Sequence, residues 1–294
     1  MTLPSGDLED VAARVETSGL RGKTVVMTGG TGFIGRWMVE TFAFLERVHR
    51  LDARLFVVSR NPKPPTIGWD ELPGRFDLVI HGATPSSDEL SKGDRALIEE
   101  TVGLTRTMLE AAERAGARRF LYLSSGAVYL PPSPYGETKH RSERLCAESP
   151  LATIIARAFA FIGPYIPLDG KFAAGNFLKN ALERTPIDVR GDGTPLRSYM
   201  YMSDLAVWLW TLLLRGDGVY DTGSEEPVSI AELAREAAKL ANVPVTIHGR
   251  AEPGKPPERY VPSTERARRE LGLRETVDWR TALRKTYDWY RESA

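Results

Sequence analysis

The sequence of 294 residues has little of what metal centres and disulfide frameworks require. Cys146 is its only cysteine, so neither an intrachain disulfide nor a cysteine cluster for a metal can form. The four histidines are widely spaced without a ligand pattern, and we therefore expect no metal site. Basic and acidic residues both number 39, and the formal net charge of +0 predicts no general attraction to nucleic acid.

Long apolar runs are also missing from the sequence. No segment has the unbroken apolar length of a membrane span, and the first residues lack the basic-then-apolar order of a secretion signal. We therefore expect a cytoplasmic protein with no membrane partner. A chain of this length can bury one large core or two unequal ones.

The most informative stretch is KTVVMTGGTGFIGRW at 23–37. A short β-branched apolar run is followed by a glycine-rich turn and then by an apolar helical pattern. In such a turn Gly29 permits a tight bend, Gly32 lets the backbone approach a pyrophosphate, and Gly35 lets the helix pack against the strand. The helix N-terminus attracts phosphate. This order of strand, glycine turn and helix predicts a dinucleotide site rather than a glycine-rich hairpin.

Strands and helices continue to alternate after this stretch, which predicts an α/β fold of the Rossmann type with a doubly wound parallel sheet. The predicted strands lie at 53–59, 77–81, 120–124, 152–157, 187–190 and 219–222. The predicted helices lie at 33–49, within 90–116, and at 171–183, 204–215 and 276–292, with another beginning at a Ser229–Glu232 capping box. Trp208 and Trp210 are predicted to be core residues. A short helix is expected within 1–22.

The segment after the second strand bears on the choice of cofactor. In this fold an acidic residue at that position would bond the ribose 2′-hydroxyl of NAD. Here Ser59, Arg60 and Asn61 follow the strand, and Arg60 can pair with a 2′-phosphate. The sequence therefore favours NADP(H). NAD(H) is the alternative, and it applies if Arg60 is only a solvent-exposed loop residue.

Two further features surround the next strand, at 77–81. The preceding segment, 62–75, is short and rich in proline and glycine, so we expect the third strand–helix unit of the fold to be trimmed. After the strand come Gly82, Ala83 and Thr84, whose small side chains let the backbone lie against the cofactor.

A serine, a tyrosine and a lysine form the candidate reaction centre. Ser125 follows the strand FLYLS, and Tyr135 and Lys139 are one helical turn apart on one helix face. A nearby ammonium would lower the pKa of Tyr135, so that it could exchange a proton with a substrate oxygen that Ser125 also binds. An ordinary amphipathic helix can also carry this pair, but the preceding serine and glycine turn favour the catalytic interpretation.

Together these motifs resemble the extended short-chain dehydrogenase/reductase family, which includes nucleotide-sugar epimerases, dehydratases, decarboxylases and 4-keto reductases. The matching segments of the first half are TGGTGFIG, VIHGAT, LSSGAVY and YGETK. The segments similar to the family's substrate-lobe motifs are RAFAFIGP, GNF, GDGTPLRSYMYMSDLA and RYVPS.

The resemblance implies a Rossmann domain and a smaller α/β C-terminal lobe, with the active site between them. We expect a helical N-terminal extension at 1–22, an NAD(P)-binding domain at 23–160 to which the chain later returns, and a mainly substrate-binding lobe at 161–294. The resemblance also implies a homodimer formed through the helices near 94–116 and 135–148.

The resemblance assigns roles to individual residues. It implies Tyr135 as acid/base, Lys139 as its modulator and ribose anchor, and Ser125 as the residue that holds the substrate oxygen. The implied cofactor-binding residues are Gly29, Thr31, Gly32, Phe33, Ile34, Gly35, Ser59, Arg60, Asn61, Gly82, Ala83, Thr84, Ser124, Tyr135, Lys139 and Phe159. The implied substrate-binding residues are Thr84, Ser125, Asn176, Arg197 and Arg259, with Arg197 clamping a diphosphate.

Departures from the family pattern narrow the expected reaction. Gly126 and Ala127 stand where sugar 4,6-dehydratases carry Asp-Glu, and related decarboxylases use a Glu in this region. Neither residue can move a proton, so dehydration is disfavoured, and the Glu of the decarboxylases is also absent. Ala160 replaces a usual Asn, and Tyr201 stands where many members have His.

The sequence therefore predicts an NADP(H)-dependent oxidoreductase acting on a nucleotide-linked sugar, closest to the 4-keto-6-deoxyhexose reductases. A nucleotide-sugar epimerase with the same residues is the first alternative. A non-catalytic dinucleotide-binding sensor is the second alternative, and an intact Ser125, Tyr135 and Lys139 argues against it.

Overall fold

The computed structural model describes residues 2–168, 170, 172–252 and 254–293 of the chain. The helices are α1 (Ser5–Arg14), α2 (Phe33–His49), α3 (Ser87–Ser91), α4 (Arg95–Ala115), α5 (Pro134–Glu148), α6 (Ala173–Glu183), α7 (Met202–Arg215), α8 (Ile230–Ala241), α9 (Glu265–Leu271) and α10 (Trp279–Ser293). The strands are β1 (Thr24–Thr28), β2 (Arg54–Val58), β3 (Leu78–His81), β4 (Arg119–Ser125), β5 (Ala152–Ala158), β6 (Phe161–Ile162), β7 (Ile187–Val189), β8 (Leu196–Arg197), β9 (Met200–Tyr201), β10 (Gly218–Thr222), β11 (Val228–Ser229), β12 (Val245–Ile247) and β13 (Arg259–Tyr260).

A six-stranded parallel sheet forms the centre of the protein, in the order β10-β5-β4-β3-β1-β2. Every residue of β1 and β3 is buried, because helices cover both faces of the sheet. The continuous apolar runs of the sequence therefore become central strands. The Rossmann-like α/β fold predicted from the sequence is confirmed.

The unit that follows β2 is trimmed, as the proline-rich segment predicted. Among the described residues, a single isolated parallel bridge, between Val58 and Ile67, extends the pairing beyond β2, and a 3-10 turn at Trp69–Glu71 follows it. As a result β2 is the last strand of the sheet on this side, and the chain proceeds directly to β3.

The C-terminal half contributes both to the central sheet and to a smaller lobe. Its α7 packs against β4 and β5, and Trp208 and Trp210 of this helix are buried as predicted. Its β10 pairs with β5 at the sheet edge. The remaining strands form small sheets of two or three members, β11-β8-β13, β12-β7 and β6-β9. Ser229 and Glu232 form the predicted capping box at the start of α8.

The N-terminal helix α1 packs against α2 and α7 of the same chain. The Asp7 side chain, only 2% exposed, accepts a hydrogen bond of 2.5 Å from the Tyr201 hydroxyl and forms an ion pair with Lys285. A second ion pair joins Arg14 to the buried Asp204 at 2.8 Å. Tyr201 is therefore a structural residue that ties the N-terminal extension to the C-terminal lobe.

Two predicted segments differ from the structure or extend beyond the described residues. The helix predicted at 171–183 begins at Ala173, and Lys171 lies outside the described residues. The proline-containing segment 251–262 includes the short strand β13, and Pro253 lies outside the described residues. Within the described ranges, the helices are all too short or too polar to cross a membrane.

Candidate active site

Close backbone packing makes glycine necessary in the turn between β1 and α2. Gly29 has a φ of +77°, and a Cβ built on it would lie 2.5 Å from the carbonyl carbon of Gly82. A Cβ on Gly35 would lie 2.1 Å from the Gly29 oxygen. Side chains at either position would push the start of α2 away from the sheet.

The N-terminus of α2 fits the pyrophosphate of a dinucleotide. Gly32 is the N-cap residue and provides no side-chain cap, and Thr31 and Gly32 are exposed. The first amide groups of α2, from Phe33 and Ile34, are therefore available to phosphate oxygens at the positive end of the helix dipole. The structure brings these predicted cofactor residues together in one exposed turn.

The segment after β2 holds Arg60 in an ion pair. Its guanidinium lies 3.0 Å from the Glu100 carboxylate of α4, and the two side chains are 60% and 51% exposed. Ser59 and Asn61 complete a compact turn, in which the Asn61 amide donates to Ser59 Oγ at 3.3 Å. The sequence analysis missed Glu100, which competes with any phosphate for the Arg60 guanidinium.

A buried hydrogen-bond chain fixes the turn after β3. The Ala83 amide donates to Thr28 Oγ1 at 3.1 Å, and Thr28 Oγ1 lies 2.8 Å from His81 Nδ1. Burial lowers the pKa of His81 to about 3, so its ring is neutral and Nδ1 can accept the Thr28 proton. The other ring nitrogen lies 3.2 Å from Thr105 Oγ1. His81 thus has a structural role, because it supports the turn that follows β3.

The predicted reaction-centre residues meet at the carboxyl end of β4. Ser125 caps the 3-10 turn that follows β4, and its Oγ accepts from the Ala127 amide at 3.2 Å. Tyr135 lies in the first turn of α5, and Lys139 follows one turn later. Ser125 also lies close enough to the Tyr135 hydroxyl to lower its pKa.

Lys139 is almost completely buried beside Tyr135. Its Nζ donates to Thr84 Oγ1 and to the Leu123 carbonyl, both at 2.8 Å, and lies 5.9 Å from the centre of the Tyr135 ring. Burial lowers the pKa of Lys139 to about 7, although the nearby Glu143 carboxylate opposes this. Thr84 therefore links the turn that follows β3 to the buried lysine.

The expected fall in the pKa of Tyr135 is not found in the free protein. Burial raises the pKa of Tyr135, and the hydrogen bond from Ser125 only partly opposes the rise. The physical reason is that Lys139 is itself desolvated and directs its Nζ at Thr84 and Leu123.

A buried ion pair between Arg157 and Glu143 supports the carboxyl end of β4. Ser124 Oγ donates to Glu143 Oε1 at 2.5 Å, and Arg157 binds both oxygens of the same carboxylate, at 3.0 and 2.6 Å. The sequence analysis gave Ser124 to the cofactor and missed Glu143. The spacing of four residues from Lys139 to Glu143 places both on one face of α5 and could have indicated it.

The predicted substrate residues are spread over the C-terminal lobe. Arg197 on β8 pairs with Glu258 at 2.8 Å. Arg259 on the adjacent β13 is exposed. The half-buried Asn176 donates to the Gly170 carbonyl at 3.5 Å. The structure thus places Arg197 and Arg259 on neighbouring strands, and Asn176 on α6.

The sequence analysis also missed Tyr260, which the structure brings into the reaction centre. Its hydroxyl lies 3.3 Å from Ser125 Oγ, and its ring centre lies 4.6 Å from that of Phe159. The only signal in the sequence was its position next to Arg259 in RYVPS.

Phe159 also limits the space at Gly126. A Cβ built on Gly126 would lie 2.5 Å from Phe159 Cζ, so a side chain fits there only if the ring moves. Ala127 offers its backbone amide to Ser125. The two positions that carry Asp-Glu in the dehydratases therefore supply no proton donor here.

A doubly wound parallel sheet, a glycine turn at a helix N-terminus, and a clustered serine, tyrosine and lysine define an enzyme of the short-chain dehydrogenase/reductase class. Residues 25–223 match the family model described as the NAD dependent epimerase/dehydratase family, and the chain belongs to that family. In the described part of the chain, no three His, Cys, Asp or Glu residues are grouped so as to hold a metal ion.

Similar proteins act on or bind nucleotide sugars. UDP-glucuronic acid decarboxylase 1 of Arabidopsis thaliana is 26% identical over 91% of this chain and 69% of its own. A trifunctional UDP-glucose 4,6-dehydratase/UDP-4-keto-6-deoxy-D-glucose 3,5-epimerase/UDP-4-keto-L-rhamnose-reductase of the same plant is 25% identical, over 74% of this chain and 36% of its own. The structure of MoeE5 with UDP-glucuronic acid and NAD is 25% identical, with a TM-score of 0.76 over 92% of this chain and 100% of that one.

Proposed function

We propose that the protein is an NAD(P)(H)-dependent oxidoreductase that reduces the 4-keto group of a nucleotide-linked 6-deoxyhexose. The observation that carries this proposal is the cluster of Ser125, Tyr135 and Lys139 at the end of β4, with no carboxylate at positions 126 and 127. The named activities of similar proteins support a nucleotide-sugar substrate.

The proposed chemistry needs one proton and one hydride. The glycine turn at the start of α2 would hold a reduced nicotinamide dinucleotide, which would supply the hydride for the carbonyl carbon. Tyr135 donates its hydroxyl proton to the carbonyl oxygen, which becomes the product hydroxyl, while Ser125 holds that oxygen by a hydrogen bond. Lys139 compensates the phenolate that remains on Tyr135. The proposal is supported by the position of Tyr135 one helical turn before Lys139 on α5, and by the hydrogen bond from Lys139 Nζ to the Leu123 carbonyl of β4, the strand that ends at Ser125.

The nucleotide end of the substrate would be held by the C-terminal lobe. A planar guanidinium suits bidentate binding of a diphosphate, so Arg197 would exchange its Glu258 partner for phosphate oxygens. Arg259 is exposed on the next strand and is the second candidate contact. Asn176 would face the sugar or the diphosphate from α6.

Dehydration and decarboxylation are disfavoured by the geometry around Gly126. Elimination of water needs an additional acid and base near the sugar. Gly126 and Ala127 offer none, and the Phe159 ring occupies the space into which a side chain at position 126 would extend. Reduction and epimerisation need only the residues that are present.

A turnover assay tests this proposal. Purified protein is incubated with NADPH or NADH and a panel of nucleotide-linked 4-keto-6-deoxyhexoses and hexoses, and loss of reduced nicotinamide absorbance is followed. We expect 4-keto-dependent oxidation of the cofactor that falls by roughly 10²–10⁴-fold in Tyr135→Phe, the usual contribution of a positioned acid. Inversion of a hexose hydroxyl without net cofactor change would support the epimerase alternative. If neither reduction nor epimerisation is detected with any member of the panel, the proposal is contradicted.

The preference for NADP(H) is a separate proposal that depends on Arg60. It is supported by the absence of an acidic residue at 59–61, while Glu100 competes for the arginine. Calorimetry of NADPH and NADH binding tests it. Arg60→Ala should weaken the binding of NADPH by about 1.5–3 kcal/mol. It should leave the binding of NADH unchanged, because only NADPH carries the 2′-phosphate.

Glu100→Gln is the matched variant for this measurement. It removes the competing carboxylate and should tighten NADPH binding by at most about 1 kcal/mol, the strength of an exposed ion pair. Tighter NADH binding that is insensitive to Arg60→Ala would show that the enzyme uses NAD(H), the cofactor bound in MoeE5.

We also propose a homodimer formed through α4 and α5. These helices pack side by side, and Leu104 and Leu145 remain half-buried on them. Sedimentation equilibrium should give twice the mass of one chain, and Leu104→Glu combined with Leu145→Glu should give the monomer. A monomeric wild-type protein at micromolar concentration would contradict the proposal.

A further inference from the structure

Tyr260 connects the reaction centre to the arginine proposed to bind the diphosphate. Strand β13 pairs in parallel with β8, in a register that sets Tyr260 opposite Arg197. The Arg197 guanidinium carbon lies 5.7 Å from the centre of the Tyr260 ring, and Phe159 stacks against the ring at 4.6 Å. These contacts hold the ring in place and direct its hydroxyl towards Ser125.

The contact between Tyr260 and Ser125 matters because a serine hydroxyl can make only a few hydrogen bonds. A serine hydroxyl donates one proton and accepts two hydrogen bonds. The Ala127 amide uses one acceptor position at 3.2 Å, and the Tyr260 hydroxyl lies 3.3 Å from the same oxygen, where either hydroxyl can donate. We propose that Tyr260 donates to Ser125 Oγ, so that the single Ser125 proton is left for Tyr135 in the free protein and for the substrate oxygen once substrate is bound.

The surroundings of Tyr260 keep its proton available for this role. The groups that face it are Ser125, Tyr135, Arg197 and Asp221. Burial raises the pKa of Tyr260 to about 12, so the hydroxyl is protonated at neutral pH.

One competing acceptor lies near the Tyr260 hydroxyl. The Ala158 carbonyl is 3.4 Å away. Both contacts exceed the usual length of an O–H···O bond, as catalytic hydrogen bonds often do before substrate binds. A substrate oxygen that accepts from Ser125 favours donation from Tyr260 to Ser125, because successive hydroxyls in a chain polarise one another. Tyr260 is thus a positioning residue that acts through Ser125.

The inference rests on the proposed roles of Ser125 and Tyr135, but its test needs no sugar substrate. The ionisation of Tyr135 is followed by tyrosinate absorbance, taken as the difference from Tyr135→Phe, in the protein alone and saturated with NADP⁺. Ser125→Ala should raise the proton affinity of Tyr135 by roughly tenfold, because the phenolate loses a hydrogen bond. Tyr260→Phe should raise it by about threefold, because Ser125 becomes a weaker donor.

The double variant distinguishes action through Ser125 from any other role. If Tyr260 acts only through Ser125, Tyr260→Phe adds nothing to the titration of Ser125→Ala. Tyr260→Phe keeps the ring that contacts Phe159 and Arg197, and circular dichroism checks that it folds. Tyr220→Phe is the matched control, because it removes the hydroxyl of a buried tyrosine on β10 that is bonded to Glu270 and to the Asp217 amide rather than to Ser125.

Two results would overturn the inference. One is an unchanged Tyr135 titration in Tyr260→Phe, and the other is a shift that adds fully to that of Ser125→Ala. Because the titration requires no turnover, failure of the reductase proposal in the substrate assay leaves this measurement intact, and the two failures are distinguishable.

Discussion

Lys139 should make the stability of the protein depend on pH in a defined window. Its pKa falls from 10.5 to about 7 on folding because the ammonium loses water. Below about pH 7 both the folded and the unfolded chain carry the proton, and the penalty of burying the charge is fully present. Between pH 7 and 10.5 the unfolded chain binds one proton more than the folded one, so the free energy of unfolding rises with pH.

The magnitude follows from this proton difference. Each pH unit in the window contributes about 1.4 kcal/mol once the folded lysine is neutral. Since Lys139 in the folded protein is only half neutral at pH 7, the free energy of unfolding increases by roughly 1.5 kcal/mol from about pH 7 to about pH 8.5. The window ends there because burial raises the pKa of Cys146 from 9.0 to about 12, which opposes the gain at higher pH.

The assay is urea unfolding of wild type and Lys139→Met, followed by tryptophan fluorescence at several pH values in this window. Methionine has no titrating proton, so the variant should lack the rise of about 1.5 kcal/mol while all other titrations cancel in the comparison. Lys239→Met, which changes an exposed lysine paired with Glu236, should keep the wild-type slope. Equal slopes for wild type and Lys139→Met would refute the reasoning, and would mean that Lys139 stays charged when folded.

Three further predictions concern structural residues. Asp7→Asn should destabilise the protein by about 1–3 kcal/mol in urea unfolding, because it breaks a buried ion pair whose partner Lys285 is partly exposed; no change would contradict this. Gly126→Ala should cost about 1–3 kcal/mol by overpacking against Phe159, and Phe159→Ala should relieve that cost when the two are combined. Because the pKa of His81 is lowered, only the unfolded chain protonates this ring between pH 6.5 and about 3, and the free energy of unfolding falls as pH decreases. His81→Asn should reduce this fall in urea unfolding. An unchanged pH profile in the variant would disprove the prediction.

Local signals account for the parts of the fold that the sequence predicts well. The turn at Gly29 and Gly35 is specified by backbone conformation and close packing, which only glycine satisfies. The capping box of Ser229 and Glu232 lies within one helical turn, so its partners are visible in the sequence. The trimmed unit at 62–75 follows from proline and glycine content.

The partners that the sequence does not reveal are distant along the chain. Tyr260 reaches Ser125 across 135 residues, and Arg60 meets Glu100 across 40. Such pairs depend on strand order and on the register of β13 with β8, neither of which is encoded locally. The pKa of Tyr135 also could not be predicted, since it depends on how deeply the folded chain buries the ring.

Gly126 and Phe159 together determine whether a side chain can be accommodated at position 126. The Phe159 ring fills the volume that the missing side chain would occupy, and the same ring stacks on Tyr260, which contacts Ser125. An acidic side chain at position 126 would therefore displace Phe159 and disturb the support of Ser125. A side chain at position 126 therefore requires a smaller residue at position 159 as well.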